Sequence, residues 1–321
     1  MQSSDTVSAV PDHTSRLIAG RYRLVRLLGS GGMGRVWAAR DELLDRDVAV
    51  KEILAPRGIS DDDLDALCER TLREARAIAR LTHPNVVRMI DVVPDDGLPC
   101  LVMELVPSRS LFAAIREDGP MDPRQVARIG LDLLSALRAA HREGMLHRDV
   151  KPANVLLAYD GRTILTDFGL VSIAGLSGLT ATGVVLGSPS YLAPELALDG
   201  TAGAASDLWS LGATLYTAVE GQPPYSRSTP AATLAALATS LPRPPKRAGV
   251  LLDLLEGLLD RDPRQRIDAA TAERLLRIAA SEAPPAPSRA RPSGSRHLRV
   301  LAGLAVVAVM LAAVVVAVQL R

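Results

Sequence analysis

The run His147-Arg-Asp-Val-Lys-Pro-Ala-Asn154 concentrates more chemistry than any other stretch of this 321-residue sequence, and the rest is read outward from it. Asp149 can accept or orient a hydroxyl proton. Lys151, two residues on, can neutralise charge on a transferring phosphoryl group. Asn154 offers a neutral oxygen to a divalent cation. Thr166-Asp-Phe-Gly169 follows, where Asp167 adds a hard carboxylate oxygen suited to magnesium.

Composition singles out the same places. Of the 37 basic residues only three are lysines, Lys51, Lys151 and Lys246, and the others are arginines. An ammonium and a guanidinium are not interchangeable at a tight site, so each remaining lysine is a candidate functional residue. Phe168 is one of only two phenylalanines in the chain. Upstream, Gly29-Ser-Gly-Gly-Met-Gly34 lies between two strand-like runs. Glycines at 29, 31 and 34 let a backbone approach phosphates without Cβ clashes. A dinucleotide-binding turn would need a helix next, yet Arg35-Val-Trp-Ala38 continues as a strand. A glycine hairpin covering phosphates fits better, with an ordinary tight hairpin as the bland alternative. Val48-Ala-Val-Lys51 then puts a lysine on the following strand. Glu74, flanked by Arg73 and Arg76, can supply the carboxylate that fixes such a lysine; alone, it would read as a solvated helix charge.

The patterning divides the body. Arg21 to Leu28, Arg35 to Ala39, Asp47 to Leu54, Val86 to Val93 and Pro99 to Val106 read as strands. Ser60 to Leu81 reads as a helix, with Ser60 as N-cap, Asp61 to Asp63 at its positive end, and Leu64, Leu67, Thr71, Ala75 and Ile78 at helical spacing. After Asp122 the pattern is mainly helical: Pro123 to Glu143, Ser206 to Glu220, Leu251 to Asp260 and Ala269 to Ala280. A small sheet-rich lobe followed by a larger helical lobe is an α+β arrangement. A cleft between lobes is a common place for a ligand.

As an ordered set, with Ala193-Pro-Glu195 completing it, these motifs resemble the eukaryotic-like Ser/Thr protein kinases that bacteria tether to the membrane. The resemblance spans residues 20–280 and implies the two-lobed protein kinase fold. It implies Asp149 and Lys151 as catalytic residues, and Asn154 and Asp167 as metal ligands. It implies an ATP site built from Leu28, Gly29, Ser30, Gly31, Gly32, Met33, Gly34, Arg35, Val36, Ala49, Lys51, Glu74, Met103, Glu104, Val106 and Leu156. Lys51 would pair with Glu74. Met103 would be the gatekeeper, and the backbone of Glu104 and Val106 would meet adenine. Asp207, in Ser206-Asp-Leu-Trp-Ser-Leu-Gly212, and Arg266, paired with Glu195, would stabilise the large lobe. Lys151 follows the Ser/Thr rather than the tyrosine pattern. Gly187-Ser-Pro-Ser-Tyr191 resembles the substrate loop, with Ser188 where threonine is more usual. The implied cofactors are ATP and Mg2+, with Mn2+ as the alternative metal, and the implied substrates are protein Ser and Thr hydroxyls. A phosphate at Thr180 and Thr182 would pair with Arg148 and order the activation segment. Homodimerisation through the small lobe is implied by the resemblance alone.

The remaining composition excludes other classes. The 37 basic and 36 acidic residues leave a net charge of +1, which gives no case for a nucleic-acid partner. Cys68 and Cys100 exclude a disulfide scaffold and a four-cysteine zinc site. Met1 to Ser15 is polar and the N-terminus lacks an apolar core of the signal-peptide kind, and residues 1–19 are expected to be flexible. Residues 281–299, with Pro284, Pro285, Pro287 and Pro292 among Ser, Ala and Arg, read as a linker. Residues 300–320 read as a transmembrane helix. Val300 to Val318 carries no charge, and a helix of that length spans roughly 28 Å. Arg289, Arg291, Arg296 and Arg299 before it predict a cell-membrane protein with a cytoplasmic body, whose input comes from the cytoplasm, the bilayer or a partner. Two other readings compete. A catalytically inactive membrane scaffold would have lost the lysine or one of the two aspartates. A small-molecule phosphotransferase would lack the Ala193-Pro-Glu195 element.

Overall fold

A computed structural model describes residues 16–31, 34–55, 58–168 and 189–281. The small lobe is a six-stranded antiparallel sheet. Its strands are β1 (Leu17–Ile18), β2 (Tyr22–Gly31), β3 (Gly34–Asp41), β4 (Arg46–Ile53), β5 (Met89–Asp95) and β6 (Leu98–Glu104), in the spatial order β1-β2-β3-β4-β6-β5. Ile18 is fully buried, so the folded body begins ahead of the boundary expected at residue 20. Ile18, Tyr22, Leu24, Trp37, Val48, Val50 and Val102 form the core on one face of this sheet.

Helix α1 (Asp61–Arg80) covers the other face. Ser60 caps it, accepting from the Asp63 N–H at 3.2 Å, with Asp61 to Asp63 at the positive end of the dipole. Its buried residues are Leu67, Thr71, Ala75 and Ile78, the spacing read from the sequence. Leu67 and Ala75 cluster with Ile53 of β4 and Leu101 of β6, so the helix covers the face of the sheet to which Lys51 also points.

The large lobe begins with a second, three-stranded sheet that the sequence pattern did not reveal: β7 (Ser108–Ser110), β8 (Val155–Ala158) and β9 (Thr163–Leu165). Helix α2 (Leu111–Asp118) follows β7, and α3 (Pro123–Arg142) starts at the Asp122 cap with proline in its first turn. After α4 (Pro194–Asp199) comes α5 (Ala204–Glu220), which is buried on every side over most of its length. Of the remaining helices, α6 (Pro230–Thr239) packs on α4, α7 (Leu252–Leu258) on α5, and α8 (Ala269–Ser281) chiefly on α3. One continuous core runs from Ile78 through Leu133, Leu137, Phe168 and Trp209 to Leu276.

Among the described residues no helix is long and apolar enough to cross a membrane. The span expected at 300–320 and the linker after Ser281 lie outside them. So do Gly32, Met33, Gly169, Thr180, Thr182, Gly187 and Ser188.

Candidate active site

A cavity of about 670 Å³ opens where the small sheet meets β8 and the segment after β9. Its wall is apolar at one end. Ala49, Val87, Met103 and Ile164 are buried together there, with Val36, Leu105, Val106 and Leu156 against them. Of the expected nucleotide residues, Leu28, Gly29, Val36, Ala49, Met103, Glu104, Val106 and Leu156 line this cavity. Ser30, Gly31, Gly34, Arg35, Lys51 and Glu74 are not part of its wall. The wall also contains Arg26, Leu105, Ser110, Ala153, Tyr159 and Thr166, which the sequence reading did not single out. Ala153 and Thr166 fall inside the quoted runs and Leu105 lies between Glu104 and Val106, and that placement was the available signal. Tyr159 and Ser110 carry none.

The β2–β3 hairpin pairs Gly29 with Val36, Ser30 with Arg35 and Gly31 with Gly34. A Cβ at Gly34 would overlap the carbonyl oxygen of Glu52, and its φ of +151° is rare for other residues. Nothing lies within 4 Å of a Cβ built at Gly29 or Gly31. The last glycine is therefore required by the neighbouring strand, while the first two leave open space in front of the hairpin.

At the polar end, the catalytic run is tied into one network. Asp207 on α5 is almost fully buried, and its carboxylate accepts from the His147 N–H at 2.9 Å and the Arg148 N–H at 2.8 Å. His141 Nε2 lies 2.8 Å from the same carboxylate. These bonds hold Arg148 at a φ of +65°, a strained value for a side chain of that size. His147 has no exposed surface, and burial pushes its pKa below the usual value. Its neutral ring donates through Nε2 to the Thr166 carbonyl at 3.0 Å and accepts the Asp149 N–H on Nδ1 at 3.2 Å. Phe168 packs against that ring with centroids 4.4 Å apart. One imidazole thus joins Thr166, the residue before Asp167, to Asp149.

Asp149 Oδ2 accepts from Lys151 Nζ at 2.7 Å and from Asn154 Nδ2 at 2.9 Å. Asn154 Nδ2 also donates to the Asp149 carbonyl at 2.9 Å. With its nitrogen committed twice to Asp149, Asn154 has its amide oxygen to offer. Asp167 sits at a φ of +66° and accepts the Lys51 Nζ at 2.8 Å on Oδ1. A carboxylate and a neutral amide oxygen make a hard, oxygen-only donor pair that fits magnesium or manganese. Among the described residues no group of three or more His, Cys, Asp or Glu side chains could hold a metal alone. Two protein ligands plus substrate phosphates are the usual magnesium arrangement.

The expected Lys51–Glu74 pair is not formed. The Lys51 ammonium is held by Asp167 instead. Glu74 Oε2 is buried without a hydrogen-bond partner. Burial raises its pKa to about 7, although Arg148, Arg70 and Arg73 pull it the other way. The expected Arg266–Glu195 pair is present: Arg266 donates to both carboxylate oxygens, at 2.7 and 3.0 Å. Burial acts to raise the Glu195 pKa, but the guanidinium, with Ser206, more than offsets this and leaves it lowered. Cys100 is buried and its pKa is pushed up to about 12, chiefly by burial, so it is a protonated core thiol at neutral pH.

The sequence profile described as "Protein kinase domain" matches residues 22–276. The chain is 45% identical over 220 residues to the serine/threonine-protein kinase PknK of Mycobacterium tuberculosis, covering 68% of this chain and 19% of that protein. It is 37% identical over 291 residues to the serine/threonine-protein kinase PknA of the same species, covering 86% of this chain and 65% of that protein. A probable serine/threonine-protein kinase of Corynebacterium efficiens is 39% identical over 235 residues, or 71% of this chain and 35% of that one. The chain thus spans less than two thirds of the length of each of these relatives.

Proposed function

Because this chain belongs to the protein kinase domain family, we propose that it transfers the γ-phosphoryl group of ATP to Ser and Thr hydroxyls of proteins. The observation that carries this reading is the convergence of Lys51, Asp149, Lys151, Asn154 and Asp167 beside one 670 Å³ cavity with an apolar inner end. Adenine would fill that end against Val36, Ala49, Leu156 and the gatekeeper Met103. Asp149, with Oδ2 held by Lys151 and Asn154, would receive the substrate hydroxyl proton on Oδ1. Lys151 would then face the charge that develops on the transferred group. Lys51 would hold the α- and β-phosphates. Asp167 and Asn154 would hold the divalent cation, which when bound neutralises charge on the β- and γ-phosphates.

The chain phosphorylates its own activation segment at Thr180 and Thr182, and Arg148 receives the new charge. Residues 300–320 anchor it in the cell membrane with the kinase body in the cytoplasm, which raises the local concentration of copies and favours reaction between them. Incubation with ATP, magnesium and a protein mixture, followed by phosphopeptide mapping, is expected to find phosphoserine and phosphothreonine, including Thr180 and Thr182. Label only on small molecules would refute the protein-kinase reading. Flotation of the full chain with liposomes tests the anchor, and removal of residues 300–321 is expected to abolish it.

A further inference from the structure

Lys51 and Glu52 are neighbours on β4 and therefore point to opposite faces of the sheet. Lys51 faces Asp167. Glu52 faces the back of the lobe, where its side chain is only 8% exposed. A carboxylate at that depth persists only when it is paired and hydrogen-bonded. Two groups do this. The Trp37 indole N–H donates to Oε2, and Arg16 Nη1 donates to Oε1 at 2.6 Å. Arg16 Nη2 also bonds Asp95 and Asp96, at the turn between β5 and β6. One guanidinium thus gathers three carboxylates, and among the described residues it is the only ion-pair partner of each. The Glu52 backbone matters as well, because its carbonyl is the atom against which Gly34 closes. Arg16 lies ahead of residue 22, where the family match begins.

We propose that Arg16 is a positioning residue for phosphoryl transfer. Through Glu52 it fixes β4, and with it the Lys51 ammonium and the base of the glycine hairpin. The inference rests on the kinase reading of Lys51. Without the guanidinium, Glu52 keeps only the indole N–H. Water must then enter or the carboxylate must turn outward, and either change displaces the strand that carries Lys51. Arg16 is not part of the cavity wall, so its effect on nucleotide travels through the carboxylates it holds, and the Glu52→Gln background isolates the route through Glu52 from the one through Asp95 and Asp96.

The test is a double-mutant cycle on the full chain, read by calorimetric affinity for MgADP and by phosphorylation rate. Arg16→Met is expected to weaken MgADP by about tenfold, since a small displacement of a positioning group is costly. In a Glu52→Gln background the same change is expected to cost less than about twofold, because a neutral amide needs no cation. Equal losses in both backgrounds, or parental affinity in folded Arg16→Met, would overturn the proposal. Arg16→Gln keeps one N–H for Glu52 and replaces Arg16→Met if that variant does not fold; it is read in the same way. A parent that binds MgADP but phosphorylates no protein defeats the kinase reading while the affinity cycle still decides the role of Arg16. A parent that phosphorylates protein while the Arg16 variants match it defeats only this inference.

Discussion

Asp167, and not Glu74, holds the Lys51 ammonium, at 2.8 Å. Glu74 is left with a buried oxygen and a pKa of about 7, raised by burial. Moving Lys51 to Glu74 would favour the charged carboxyl, so that rearrangement releases a proton and is promoted by rising pH. Activity is therefore expected to climb from about pH 6 to about pH 8 with a limb near 7, and Glu74→Gln should remove that limb. A pH–rate profile that keeps the limb in Glu74→Gln would assign it elsewhere. The sign for folding is the opposite. The folded pKa lies above the usual 4.5, so the stability that Glu74 contributes is complete below 4.5 and is lost as pH rises through about 7.

At the scale of elements, the glycine hairpin and β4 are one unit, because Gly34 closes directly on the Glu52 carbonyl. Gly34→Ala is expected to destabilise the protein by about 2 kcal/mol or more, since it combines a strained φ with a backbone overlap. Gly29→Ala, with open space around it, should leave Tm within a degree or two. Equal Tm shifts would show that the contact at Gly34 is not the constraint. The same contrast explains what the sequence could and could not tell. The catalytic run was legible because its chemistry is contiguous, and α1 was legible because its cap and its apolar spacing are local. The partner of Lys51 was not, since Asp167 lies 116 residues away along the chain. The β7–β9 sheet was missed because its strands are only three or four residues long. The clamp by Arg16 was missed for a third reason: an arginine ahead of the first strand carries no periodicity, and its partners lie 36, 79 and 80 residues on.

Across the whole molecule, Arg266 and Glu195 join pieces far apart in the chain. Arg266 has no exposed side-chain surface, and besides Glu195 it bonds the carbonyls of Ala205 and Asp260. Arg266→Met would leave a buried carboxylate unpaired, and a loss of about 3–5 kcal/mol in urea denaturation is expected. A loss below about 1 kcal/mol would mean that Glu195 finds water instead. This pair supports the large lobe, on which Asp207 fixes the backbone that carries Asp149. The central claim is that these parts together make an active kinase. Its most direct test is the intact mass of the full chain before and after incubation with ATP and magnesium, beside a Lys51→Met copy. Added phosphates are expected on the parent and none on the variant. An unchanged parent mass while nucleotide binds, or equal phosphorylation of the Lys51→Met copy, would contradict it.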